Sequence, residues 1–217
     1  MGGAGVLGSI DLRSTRDAGP AVHVPRAHGR RLAPLVAEAL AHAGREAGDL
    51  GLVAVSAGPG SYTGLRIGMS TAKGLCLATG AGLAAVPTLR ALADGAGGAG
   101  GAVVVALPSR RGEVYAALYD GDAEVRAPTA LALDDLAGWL PPAPPGGFGL
   151  GGPGAGRVAD ADPERPWRRL ALAPDAVAVA RRGLAEARAG RLADLAAAEP
   201  AYLKPVAAVR PRGIFPG

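Results

Sequence analysis

The chain is poor in the side chains that carry most chemistry and much long-range recognition. Cys76 is its only cysteine and there are three histidines, which excludes an intramolecular disulfide and a thiolate metal cluster. Aromatics are two Trp, four Tyr and two Phe in 217 residues, a count that argues against a base-stacking platform. Charged residues make up 19%, with 23 Lys plus Arg against 19 Asp plus Glu. The cations are scattered and form no arm of the kind that grips nucleic acid. No apolar run is long enough to span a membrane, and the first residues lack the charged-then-apolar order of a secretion signal. The expectation is a cytoplasmic protein with no membrane partner.

What is abundant is small and apolar. Gly (35) and Pro (19) are about a quarter of the chain, yet 49% of residues are hydrophobic, enough to build a core. The glycines concentrate at 95–101 and 146–156, and periodic segments lie between. Leu32, Leu35, Val36, Ala39 and Leu40 recur at helical spacing, which predicts a helix that follows His28, carries Pro34 in its first turn and ends near Gly44. Strands are expected at 6–12, 21–24, 52–56 and 83–86. The turn Gly58-Pro59-Gly60-Ser61-Tyr62-Thr63-Gly64 leads into a helix over 63–79 stopped by Gly80, and a short helix is expected at 89–93. Beyond residue 101 strands are predicted at 102–107, 113–119 and around 123–126, forming a meander through Asp120-Gly121. Helices over 131–140 and 174–189 follow, with a short strand near 148–150 between them. The second helix is expected to bury Val177, Ala180, Leu184 and Ala187. The result is an α/β chain of two small domains, 1–98 and 99–217, joined at the glycine run.

The candidate sites each have a plain reading beside a functional one. The 58–64 turn joins a strand to a helix, where backbone N–H groups can cradle phosphate. Residue 63 is Thr where a dinucleotide fingerprint needs Gly, and no Walker-type spacing is present. A tight structural turn made by Gly58, Pro59, Gly60, Ser61 and Thr63 is the plainer reading. In the helix that follows, Gly64, Gly68, Ala72 and Cys76 stand four apart, flanked by Leu65 and Met69. Such a ridge admits close helix approach, either to the parent sheet or to a partner. No histidine pair has metal-ligand spacing, and Ser61 and Thr63 have no base placed to activate them. No catalytic residue, metal ligand or cofactor is assigned.

Gly58-Pro-Gly-Ser-Tyr-Thr-Gly-Leu-Arg-Ile-Gly-Met-Ser-Thr-Ala-Lys-Gly-Leu resembles the signature of the bacterial TsaB (YeaZ) family. Pro25-Arg-Ala-His28-Gly-Arg-Arg-Leu-Ala-Pro34, Arg110-Arg-Gly-Glu-Val-Tyr115 and Glu199-Pro-Ala-Tyr-Leu-Lys204 are similar to further family stretches, in the same order. The resemblance implies an actin-like, ribonuclease-H-like duplicated fold. It implies a non-catalytic subunit of the machinery that makes threonylcarbamoyladenosine in tRNA, docked on a TsaD-like catalytic subunit and joined by a TsaE-like ATPase. On that reading tRNA is met only within the complex. His28, Arg31, Leu35, Gly64, Leu65, Gly68, Met69, Ala72 and Cys76 are the docking candidates, and self-association without the partner stays open. Asp11 is the one acidic residue placed where actin-like ATPases hold a metal-nucleotide. It is followed by Leu12 rather than Thr, and too few residues separate it from His28 for the family's usual hairpin. A truncated start or an abbreviated first strand is expected. The alternative is a metal-dependent peptidase-like enzyme or an ATPase of the same fold.

Overall fold

The computed structural model describes residues 13–14, 17–18, 28–97 and 100–204, with side chains described from Leu32 onward. The strands expected at 6–12 and 21–24, and Asp11, lie outside these residues. Two dipeptide strands, β1 (Arg13–Ser14) and β2 (Asp17–Ala18), pair antiparallel.

Helix α1 (His28–His42) buries Leu32, Leu35, Ala39 and Leu40 in one stripe, as the spacing predicts. It starts at His28 itself, so Pro34 lies inside the helix rather than in its first turn. The missing N–H removes one intrahelical bond there, and the ring is exposed.

Strands β3 (Leu52–Gly58) and β4 (Gly82–Pro87) are parallel, with Leu52 opposite Gly82 and Ser56 opposite Val86. Parallel neighbours need a crossover, and α2 (Tyr62–Thr79) supplies it. The Ser61 hydroxyl caps its start by accepting from the Gly64 N–H at 3.4 Å, and Gly80, with φ of 75°, ends it. Side chains alternate along both strands. Val53, Val55, Ala57 and Leu83 meet Met69, Ala72 and Cys76 of α2 on one face. Leu52, Ala54, Ala84 and Val86 meet Ala178 and Val179 of α6 (Ala176–Arg188) on the other. Covering on both faces is what a parallel pair requires.

The second sheet runs in the order β7-β6-β5-β8-β9, formed by β5 (Val103–Pro108), β6 (Glu113–Asp120), β7 (Ala123–Ala132), β8 (Gly149–Gly151) and β9 (Arg168–Leu170). The β5–β6–β7 meander is antiparallel, while β5, β8 and β9 are parallel. One face packs Val104, Ala106, Val114 and Leu118 against Phe148, Leu136 of α4 (Leu136–Trp139) and Val158 of α5 (Ala155–Ala161). The other face packs Val103, Val105 and Leu107 against Leu89 and Leu92 of α3 (Thr88–Asp94). Ala91 of α3 instead joins the β4–α6 cluster, so this helix serves both sheets.

Three expectations change. Residues 123–132 form one long strand, with Leu131 opposite Val114. A register shift between Ala116 and Leu118 carries β7 past Arg126, and Pro128 opposes helix in this stretch. The helix predicted over 131–140 is reduced to a 3-10 turn at Leu133–Asp135 followed by α4. Helix α5 and strand β9 are additions, in a stretch whose glycines and prolines mask the signal.

The third change concerns α6, which is capped by Asp175 and buries Ala178, Val179 and Gly183 rather than the stripe through Leu184. A Cβ on Gly183 would lie 2.5 Å from the Ala54 Cβ. The helix sits so close to the sheet that only small residues fit the contact, and Leu184 is 37% exposed beside it. Helix α6 and the segment after it thus return to the first sheet: the Ala193 N–H donates to the Leu83 carbonyl at 2.8 Å.

Candidate functional site

Three segments far apart in sequence meet at one cleft. The first is the 58–64 turn. Gly58 has φ of 116°, and a Cβ there would lie 2.5 Å from the Ala201 carbonyl oxygen; glycine alone meets both conditions. The turn is pinned from below, because the Gly58 N–H donates to the buried Thr88 hydroxyl at 3.2 Å. Thr88 in turn shares a 2.6 Å hydrogen bond with the buried Ser56 hydroxyl.

The second segment is the β5–β6 loop with the start of β6. Arg157 of α5 holds it by donating to the carbonyls of Ser109, Arg110 and Glu113 at 3.1–3.3 Å. That fixes the backbone while the Arg110 and Arg111 side chains stay exposed. The third segment, 199–204, runs across the end of β3. The Ala201 N–H donates to the Ala57 carbonyl at 2.7 Å, and Lys204 forms an ion pair with Glu113.

Between the three lies an open cavity of about 240 Å³. Tyr62, Tyr115, Tyr202, Arg110 and Lys204 are among its walls, with the Pro59-Gly60 backbone at one side. The Tyr62 and Tyr202 rings stand 5.1 Å apart at 36°. Arg66 reaches back one turn of α2 to the Tyr62 hydroxyl, its guanidinium carbon 5.2 Å from that ring's centre. Three of the chain's four tyrosines therefore stand together. The aromatic count that argued against a stacking surface said nothing of placement.

Of the ridge and its flanks, Leu65 alone among the residues named here also lines the cavity. Gly64, Leu65, Gly68, Met69, Ala72 and Cys76 are all buried within the chain, and Leu35 is 6% exposed on the buried stripe of α1. Met69, Ala72 and Cys76 pack on the parent sheet, so the ridge is turned into the chain, and Leu65 reaches only the cavity floor. His28 and Arg31 are placed in the first turn of α1, and their side chains lie outside the described residues. Cys76 donates to the Gly82 carbonyl at 3.6 Å, and burial pushes its thiol above the usual range, which makes it unreactive. Asp134 and Asp135 are exposed in the first turn of the 3-10 segment, where a carboxylate favours the positive helix end.

The outward side of α2 carries a second row. Arg66, Ser70, Gly74 and Ala78 are exposed at four-residue spacing, and Leu77 beside them is 76% exposed. Among the described residues nothing lies within 4 Å of a Cβ built on Gly74. Among the described residues no three of His, Cys, Asp and Glu are grouped to hold a metal ion. No helix among them is long and apolar enough to cross a membrane.

The motif residues that build the cleft, Tyr62, Arg110, Tyr115, Tyr202 and Lys204, are absent from the residues picked as a site by helical spacing. Their signal was membership of the three quoted stretches, which spacing within one helix could not combine.

Comparison with known proteins agrees with this architecture. The chain is 41% identical over 100 residues to the tRNA threonylcarbamoyladenosine biosynthesis protein TsaB of Escherichia coli (strain K12), which is 45% of this chain and 43% of that protein. It is 34% identical over 121 residues to TsaB of Bacillus subtilis (strain 168), 54% of this chain and 52% of that protein. The chain spans about half the length of the curated relatives it matches. YeaZ from Pseudomonas aeruginosa superposes with a TM-score of 0.79 at 26% identity, covering 90% of this chain and 93% of that one. The fold is thus the actin-like, ribonuclease-H-like α/β fold. The family model described as "TsaD: tRNA N6-adenosine threonylcarbamoyltransferase" matches residues 21–154, more than half of the sequence, and the chain belongs to that family and, within it, to the TsaB (YeaZ) group.

Proposed function

We propose that this chain is a non-catalytic, cytoplasmic subunit of the machinery that makes threonylcarbamoyladenosine in tRNA, and that it docks on a related TsaD-like catalytic subunit. A TsaE-like ATPase joins the assembly on this reading. The curated relatives named for that biosynthesis support it. The observation that carries the docking is the outward row of α2. A glycine in the middle of a helix costs about 0.5–1 kcal/mol against alanine, and among the described residues no contact requires Gly74 to be small. Ser70, Gly74 and Ala78 form a flat track that lets a second helix approach closely, and exposed Leu77 supplies an apolar contact. The docking face is therefore the solvent side of α2, displaced around the helix from the ridge that spacing first suggested.

Sedimentation of the chain with a TsaD-like subunit tests the reading. A complex is expected from the wild type, and Gly74→Arg is expected to abolish it while leaving the melting temperature of the isolated chain unchanged or slightly raised. Failure of the wild type to associate overturns the docking. Peptide hydrolysis or ATP turnover by the purified chain alone overturns the non-catalytic assignment.

A further inference from the structure

We propose that the cleft between the 58–64 turn, the β5–β6 loop and the 199–204 segment holds an unpaired nucleotide of a single-stranded RNA segment. The base stacks against the exposed Tyr62–Tyr202 pair and the backbone phosphates are met by Arg110 and its cationic neighbours. This goes beyond docking, since the isolated chain carries it.

The walls point to that chemistry. Tyr62 and Tyr202 are 41% and 40% exposed, so the pair, packed ring on ring, keeps surface open to solvent rather than used in the core. Tyrosine faces accept any base, and cations beside them meet the phosphates that accompany it. Arg110 is exposed at the cavity wall, with exposed Arg111 next to it in the same loop. Arg66 stands at the Tyr62 ring, and Lys204 lines the cavity while paired with Glu113.

Lys204 and Glu113 neutralise each other, which leaves Arg66, Arg110 and Arg111 against Glu199. The surplus is spread from α2 to the β5–β6 loop. That is wider than one phosphate needs, and it suits a chain of phosphates passing across the mouth. The cavity, about 240 Å³, is below the size of drug-like sites and matches a single base with its sugar. An acidic peptide would use the cations but leave the paired tyrosine faces without a role.

The wall is also built to keep its shape. Arg157 fixes the loop that carries Arg110, the Ala201 N–H fixes the segment that carries Tyr202, and Gly58 lets that segment close on the 58–64 turn.

Fluorescence anisotropy with a labelled oligouridylate and the full chain tests this. Binding is expected at low salt, with affinity falling as salt rises, each phosphate contact adding about −0.7 to the log–log slope. Tyr202→Ala is expected to weaken binding about ten-fold, because it removes one stacking face, and Tyr202→Phe to retain it. Arg110→Ala should shallow the salt slope by about 0.7. Both side chains are exposed, so circular dichroism and the melting temperature should match the wild type. No binding, or equal binding by Tyr202→Ala and Arg110→Ala, overturns the proposal. So does uridine monophosphate competing as well per nucleotide as the oligomer, which marks a mononucleotide site, or polyglutamate competing as well as the RNA. Loss of association with a TsaD-like subunit leaves these outcomes untouched.

Discussion

Two glycines show how the same residue type can carry opposite stability signs. Gly58 sits at φ of 116° with the Ala201 carbonyl where a Cβ would go. Gly58→Ala forces an L-residue into a left-handed region, at about 1–2 kcal/mol, and pushes the 199–204 segment off the end of β3 as well. The expected loss is about 2–4 kcal/mol, which lowers the melting temperature by roughly 5–10 °C for a chain of this size. Gly74 is helical and open, so Gly74→Ala is expected to stabilise the isolated chain by about 0.5–1 kcal/mol. Calorimetry of the two variants side by side checks both signs. At this scale the sequence was informative where a residue type has a single reason to be present. Gly80 was legible as the end of α2, whereas Ser61 was legible only as part of the turn and its capping bond to Gly64 comes from the structure. Gly58 was legible as part of a turn, but its contact with Ala201 was not, because that neighbour lies far along the chain.

At the scale of elements, hydrophobic spacing succeeded for α1, where Leu32, Leu35 and Leu40 are buried together with Ala39 and Val36 is half-buried. It misplaced the face of α6, because proximity to the sheet selects for smallness there. The small-residue ridge of α2 was legible as a surface of close approach. What approaches it is the chain's own sheet, and only the pairing of β3 with β4 reveals that. The same logic yields a test that separates spacing from geometry. Gly183→Val introduces a Cβ 2.5 Å from the Ala54 Cβ, and both atoms are borne directly on backbone that cannot yield without moving helix or strand. A loss of about 1–3 kcal/mol is expected, even though valine replaces the poorest ordinary helix former. Leu184→Ala removes a larger apolar side chain from a position 37% exposed and should cost under about 1 kcal/mol. Urea denaturation of the two variants decides it: the reverse order would place the contact face through Leu184.

Across the whole molecule, the glycine run at 95–101 divides the sequence more sharply than it divides the structure. Strands β3 and β4 precede it and β5 to β9 follow it, yet α6 and the segment after it pack back on the first sheet. Asp94 fastens this arrangement at the end of α3. Its carboxylate accepts from Arg182 of α6 at 2.7 and 2.8 Å and from Arg90 Nε at 2.8 Å. Arg182 also reaches Asp122 in the β6–β7 turn at 3.2 Å. Arg90 donates to the Gly121 carbonyl at 3.0 Å and lies 4.3 Å from the Tyr119 ring centre. Elements of both sheets thus converge on one carboxylate. Burial pushes the Asp94 carboxyl up, but the hydrogen bonds from Arg182 and Arg90 outweigh it and hold the group below its ordinary value. A depressed folded value means that the group's stabilisation is complete above its unfolded value of about 3.9 and is lost as pH falls through the folded value. Stability measured by urea from about pH 7 to about pH 3 is therefore expected to decline at the acid end. Asp94→Asn should cost about 1–3 kcal/mol at neutral pH, since two guanidinium groups lose a charged acceptor. Its acid decline should be shallower than that of the wild type, because the titrating group is gone. An Asn variant with wild-type stability and an unchanged acid slope would mean that apolar packing of α3 and α6 alone joins the two sheets.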